Sequence, residues 1–327
     1  MTEHAEALLN MRRYFDAGHT LAYAFRRQQL QKLKKVLLSA ETEIAEALFA
    51  DLGKNPEEVW ITETGFLVGE INHTLKHLKK WMKAEKVRTN LLNQPSRSYV
   101  YKEPFGLALI IGPWNYPLML LLAPLVGAMA AGNCAVLKPG EAAPATASVV
   151  QRLISENFAP EYIKVVEGEG HEIIPSLMDS SRFDHVFFTG STAVGKKIYT
   201  LAAEKLTPVT LELGGKSPCL VTETANIEVT ARRIAATKFS NAGQMCVAPD
   251  YVLVQQSIKE SFVAALIKSI RDFYGADPAQ DYHYGRLINR GQLGRLKEYL
   301  DTGSVIYGGS YDEYVASTGR EAPGMRQ

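Results

Sequence analysis

Apolar positions along the chain change their period near residue 105. Before it, Leu30, Leu33, Leu37, Ile44 and Leu48 recur at helical spacing with Lys and Glu between them, which predicts helices over the first hundred residues. Asn55-Pro56-Glu57-Glu58 adds a helix start: a capping Asn, Pro at the first helical position and acids in the first turn. Over residues 88–103 the pattern turns polar around Gln94-Pro95-Ser96, then alternates at Tyr99, Val100 and Tyr101. This predicts an excursion or hairpin leaving the main body.

From Phe105 onward, short apolar runs alternate with longer helical stretches. Strands are expected at 107–111, 134–137, 163–166, 185–188 and 209–213, with helices near 118–131, 146–157, 173–178 and 194–205. That alternation specifies an α/β protein whose parallel sheet carries helices on its faces. A second set follows: a helix over 227–239, a strand over 251–254, helices over 258–273 and 291–300, and a strand over 305–307. Residues 308–327 carry neither period and are expected to lie disordered or loosely docked.

Composition narrows the classes. A chain of 327 residues is too long for one small core and suggests two domains. Its 36 basic and 35 acidic residues nearly cancel, which argues against a nucleic-acid or anionic-membrane partner. Cys134, Cys219 and Cys246 are far apart and form no CxxC, so a reducing, cytoplasmic compartment is expected. The most apolar stretch, 107–132, is interrupted by Pro113, Pro117 and Pro124 and reads as a buried strand and helix, not a membrane segment. No HExxH, GxSxG or zinc-spaced Cys/His cluster occurs, and His73 and His77 sit on a lysine-rich, solvated face, so no metal site is expected.

Four segments carry candidate chemistry. In His185-Val-Phe-Phe-Thr-Gly-Ser-Thr-Ala-Val-Gly-Lys-Lys197 an apolar strand runs into a small-residue turn and a helix, whose first amides make an anion site. Gly190, Gly195 and Lys196 nearly match a P-loop, but Lys197 stands where that motif needs Ser or Thr, which disfavours a nucleotide phosphatase. In Val209-Thr-Leu-Glu-Leu-Gly-Gly-Lys216, Glu212 lies in an apolar strand and reads either as a general base or as a satisfied structural carboxylate on the opposite face. Cys246, in Asn241-Ala-Gly-Gln-Met-Cys246, is a loop thiol, either nucleophilic or a small apolar filler. Cys134 and Cys219 read as fillers. Asn115, bracketed by Pro113 and Pro117, is either a fixed amide donor or part of a structural turn.

Together these segments resemble the aldehyde dehydrogenase superfamily, most closely its class 3-like, fatty and aromatic aldehyde branch. The resemblance rests on Pro113-Trp-Asn-Tyr-Pro117, Leu137-Lys-Pro-Gly-Glu141, Phe188-Thr-Gly-Ser-Thr-Ala-Val-Gly195, Leu211-Glu-Leu-Gly-Gly-Lys-Ser-Pro218 and Asn241-Ala-Gly-Gln-Met-Cys246, in the family's order. It implies a Rossmann-like cofactor domain over 1–87 and 104–213, a bridging or oligomerisation hairpin over 88–103, and an incomplete α/β catalytic domain over 214–309. It implies Cys246 as nucleophile, Asn115 and the Cys246 N–H as oxyanion donors, and Glu212 as the base that activates the hydrolytic water. Lys138 and Glu141 would bind the adenosine ribose, Gly190 and Ser191 would approach the pyrophosphate, and Gly195 would pack the helix on the sheet. Trp114 and Leu213 would complete the cofactor site, with NAD expected and NADP possible. A homodimer and a small aldehyde substrate follow from the same resemblance.

After Gly309 the resemblance ends. The family's Glu-x-Phe-Gly-Pro motif and its subunit-pairing segment have no counterpart in residues 310–327, which are expected to be a truncated or altered terminus. That leaves a catalytically impaired cofactor-binding fragment as the alternative, with exposed strand edges and apolar faces.

Overall fold

The computed structural model describes residues 3–278 and 281–309, so the expectation for residues 310–327 lies outside the described residues. The chain divides into two compact units, Met1–Ala47 with Val59–Leu213, and Leu48–Glu58 with Gly214–Gln327. The segment Leu48–Glu58, read from the sequence as part of the first domain, groups with the second.

The first unit opens with α1 (Glu3–Asp16), α2 (Tyr23–Ser39) and α3 (Glu41–Leu52), the last continuing into the Leu48–Glu58 segment. Leu30, Leu33, Leu37 and Ile44 are all buried, as the helical stripe requires. Next, α4 (Pro56–Val59), a π-helical turn over Trp60–Thr64 and α5 (Gly65–Trp81) run on one from another. An antiparallel ribbon of β1 (Glu85–Val87) and β2 (Ser98–Val100) follows, paired Glu85 to Val100. The expected hairpin thus forms, but its first strand begins earlier than the polar pattern indicated, because Glu85-Lys-Val87 is exposed and shows no apolar alternation.

Five parallel strands then form the sheet: β3 (Leu107–Ile111), β4 (Cys134–Lys138), β5 (Ile163–Val165), β6 (His185–Gly190) and β7 (Val209–Leu213). Between them lie α6 (Met119–Ala131), α7 (Pro144–Asn157), α8 (Gly170–Ser180) and α9 (Thr192–Ala203). The spatial order β5-β4-β3-β6-β7 is the doubly wound arrangement, with its reversal between β3 and β6. Every residue of β3 and β4 is buried, which is why both read as unbroken apolar runs. The apolar stretch 107–132 is a buried strand and helix; among the described residues no helix is long and apolar enough to cross a membrane. Gly132 ends α6 at φ 90°, and a Cβ there would sit 2.5 Å from the buried Arg26 guanidinium.

In the second unit, β8 (Ser217–Val221) and β9 (Pro249–Val254) pair in parallel, with α10 (Ile227–Phe239) as their crossover, followed by α11 (Lys259–Tyr274) and α12 (Arg290–Leu300). Val221, Ala231, Ile234 and Phe262 form its core, and Cys219 packs against them as a small apolar residue. The other face of the pair exposes Leu220 and Leu253, which stand opposite each other in register. The strand expected at 305–307 does not form. Val305, Ile306 and Tyr307 are exposed, and a β-branched run without a paired neighbour has no ladder to join.

Leu109, fully buried in the central strand, tests the sheet core. Leu109→Ala is expected to lower unfolding free energy by about 2–5 kcal/mol. Leu92→Ala, at a residue 95% exposed in the β1–β2 connection, should change it by less than about 0.5 kcal/mol. Urea denaturation followed by circular dichroism measures both.

Candidate active site

In a parallel sheet all strands end at one edge, and the candidate cofactor residues of the first unit come from loops at that edge. Trp114 and Asn115 lie half-buried in the loop after β3, and Lys138 is the last residue of β4. Gly190 ends β6, Ser191 caps α9 (Thr192–Ala203), and Glu212 and Leu213 end β7. Pairing aligns Ile111 with Lys138 and Phe188, and Gly190 with Leu213. The loops after β3 and β4 meet closely: a Cβ on Gly140 would sit 2.9 Å from the Pro113 carbonyl.

The turn after β6 is built to expose amides. The Ser191 hydroxyl accepts the Val194 N–H at 3.3 Å and caps α9, so the remaining first-turn amides face outward with the positive end of the helix dipole. Gly195 is buried one turn in, where a Cβ would lie 2.7 Å from Leu213 Cδ2, so any larger residue would require the tip of Leu213 to shift. The Thr189 hydroxyl, just before the turn, is buried with no hydrogen-bond partner among the described residues.

Lys138 is 1% exposed and donates to the Pro139 carbonyl and to Glu141 Oε2, both at 2.7 Å. Burial works against ionisation of Glu141. The Lys138 hydrogen bond and charge, with backbone N–H groups of Glu141 and Gly170, outweigh it and hold the carboxyl below its ordinary range. The pair therefore carries a fixed, half-exposed carboxylate whose balancing cation is internal.

Glu212 is exposed on β7, the edge strand of the sheet. The apolar setting suggested by its neighbours is absent, because alternation turns it away from the side on which Leu211 and Leu213 are half-buried.

Cys246 belongs to the second unit, whereas Asn115 and Glu212 belong to the first. Its thiol is exposed, on the loop between α10 and β9. Ahead of it, Asn241 and Ala242 both adopt left-handed backbone, φ 49° and 52°. Asn tolerates that region but Ala does not, and each such residue costs about 1–3 kcal/mol unless its surroundings hold it. Asn241 is fully buried, and its N–H donates to Glu58 Oε1 at 2.9 Å. Gln244 binds both ways: its Nε2 donates to the carbonyls of Asn241 (3.0 Å) and Arg286 (2.9 Å), and its Oε1 accepts the Ile288 N–H at 3.0 Å. Neither Glu58 nor Gln244 was given a role from sequence. Glu58 reads there as a first-turn helix acid, and nothing local announces a partner 183 residues away.

The first unit thus has a doubly wound parallel sheet with a Ser-capped helix start after β6, and the second presents an exposed thiol. Residues 2–316 match the aldehyde dehydrogenase family, and the chain belongs to that family. It is 48% identical over 302 residues to the 4,4'-diaponeurosporen-aldehyde dehydrogenase of Staphylococcus aureus, a match covering 92% of this chain and 65% of that protein. It is 44% identical over 321 residues to aldehyde dehydrogenase family 3 member B1 of Rattus norvegicus, covering 97% of this chain and 68% of that protein. Among solved structures, the substrate-bound state of Staphylococcus aureus AldH superposes with a TM-score of 0.92 at 46% identity, covering 96% of this chain and 69% of that one. The chain spans about two thirds of the length of these relatives.

The three cysteines differ sharply in setting, with Cys134 buried and Cys246 exposed. Burial pushes the Cys134 thiol from its ordinary 9.0 up to about 12. Iodoacetamide at pH 8 should therefore label Cys246 in the native protein and Cys134 only after denaturation, as read by peptide mass spectrometry. A raised folded-state pKa makes the Cys134 contribution to stability whole below about pH 9. It is lost as pH rises towards about 12, where the unfolded thiol ionises and the folded one does not.

Proposed function

We propose that the protein oxidises an aldehyde to a carboxylic acid with NAD(P)+, using Cys246 as nucleophile. The observation that carries this reading is an exposed thiol on a strained, side-chain-braced loop, in a chain of this family. As thiolate, Cys246 attacks the aldehyde carbon to form a thiohemiacetal. The Asn115 side-chain amide and the Cys246 backbone N–H donate to the developing oxyanion. A bound dinucleotide supplies the hydride acceptor. The acyl group then rests on Cys246 as a thioester. Glu212 takes a proton from the water that attacks it, the C–S bond breaks with Cys246 leaving as thiolate, and the acid is released.

The residues at the sheet edge fit such a cofactor. The α9 amides and Ser191 would hold its phosphates, Lys138 and Glu141 its adenosine ribose, with Gly190, Gly195, Trp114 and Leu213 shaping the cleft. The buried Thr189 hydroxyl, without a partner among the described residues, is what a ligand-facing position leaves behind. Glu141, held ionised, suits a free ribose 2′-hydroxyl and repels a 2′-phosphate, so NAD is the first reading and NADP the second. The exposed Leu91 and Leu92 of the β1–β2 connection suit subunit pairing, consistent with a homodimer.

Absorbance at the NADH band with a panel of aliphatic and aromatic aldehydes tests the activity. Cys246→Ala is expected to abolish it, and Asn115→Ala to lower kcat by about 100- to 1,000-fold. Glu212→Gln should let the acyl-enzyme form and persist, visible as added mass on Cys246. NAD binding by the unmutated chain without turnover or acyl-enzyme would replace this reading with that of a cofactor-binding protein.

A further inference from the structure

We propose that Glu58 is a positioning residue for the Cys246 thiol, acting through the left-handed turn Asn241–Ala242, with Gln244 fixing the far side of that turn. The role in catalysis rests on Cys246 being the nucleophile; the mechanical role does not.

The case begins with the turn itself. Two successive non-glycine residues at positive φ do not persist unless something holds each end. At the near end, Glu58 Oε1 accepts the Asn241 N–H at 2.9 Å and the Ser240 hydroxyl at 3.3 Å. At the far end, the Gln244 N–H donates to the Asn241 carbonyl at 3.1 Å, beside the side-chain bonds that tie Gln244 to Arg286 and Ile288. Only Met245 separates this anchored residue from Cys246, so the direction of the thiol is inherited from the turn.

Glu58 is itself held in place. Asn55 caps α4 by accepting the Glu58 N–H at 2.7 Å, and the Asn55 amide donates to the Tyr282 carbonyl at 3.3 Å. The neighbouring Glu57 accepts the Tyr282 hydroxyl at 3.0 Å, and the Arg286 N–H donates to the Leu52 carbonyl at 2.6 Å. These bonds close a ring running from the end of α3 through Glu58, Asn241 and Gln244 to Arg286 and back. All of it lies within the second unit. A surface acid serving only the helix dipole would need none of this.

The test uses the full chain and reads three things: amide exchange of the peptide spanning 240–248, the iodoacetamide labelling rate of Cys246 with Cys219 as internal control, and aldehyde turnover. Glu58→Ala is expected to speed exchange in that peptide about tenfold and slow Cys246 labelling about tenfold. Cys219 labelling should stay near the unmutated value. In turnover, kcat should fall about tenfold with KM little changed. Glu58→Gln keeps an oxygen at the same reach and should restore all readouts to within about twofold. If Glu58→Ala does not fold, Glu58→Asp, one methylene too short, must reproduce the Ala-like changes. Unchanged exchange and labelling in these variants, or failure of Gln to rescue, overturns the proposal. Altered exchange and labelling in a chain that never turns over aldehyde upholds the positioning of the thiol and removes only the catalytic reading.

Discussion

Everything in the first unit follows from the strands of its sheet all pointing the same way. Parallel strands need crossovers, the crossover helices cover both faces, and the central strands become wholly apolar. Polar chemistry is thereby pushed to the two edges of the sheet, and the two edges are treated differently. At the N-terminal edge the polar groups are tied to one another: Asp184 accepts the Leu107 N–H and pairs with Arg12, while Asn133 accepts the Gly106 N–H. At the C-terminal edge Lys138 is paired with Glu141, Ser191 caps α9, and the Thr189 hydroxyl lacks a partner among the described residues. One edge is closed by its own hydrogen bonds, and the other is the edge to which the proposed cofactor residues belong.

The second unit has a small core and a two-stranded sheet, so its order around Cys246 comes from polar bracing more than from packing. The left-handed pair at Asn241 and Ala242 is a local cost, and the carboxylate of Glu58 and the amide of Gln244 offset it. The Cys246 loop is therefore less a flexible connection than a shape imposed by side chains from elsewhere in the sequence.

Legibility in the sequence tracked the length scale of the cause. The strand over 107–111 and the helix over 227–239 were bounded correctly because burial writes apolar period directly into the chain. The Asn55 cap was legible for the same reason, being a contact across three residues. Strand β1 escaped because a short exposed ribbon strand needs no apolar alternation. The run at 305–307 has strand-like residues, yet pairing depends on a neighbour that composition does not reveal. Among site residues, Lys138 and Glu141 sit close enough in sequence for a local reading to pair them. The setting of Glu212 depended on which side of an edge strand it took, and Glu58 on a partner far along the chain.

That last separation bears on how the chain acquires its shape as it is made. The segment carrying Asn55, Glu57 and Glu58 leaves the ribosome early, but its partners at Asn241 and Tyr282 come more than 180 residues later. At about 5–20 residues per second, the intervening sheet has on the order of ten seconds to fold before those bonds can close. Contacts of such sequence separation form slowly and late. The thiol loop thus takes its final shape only after the residues that brace it, as far as Ile288, have been made.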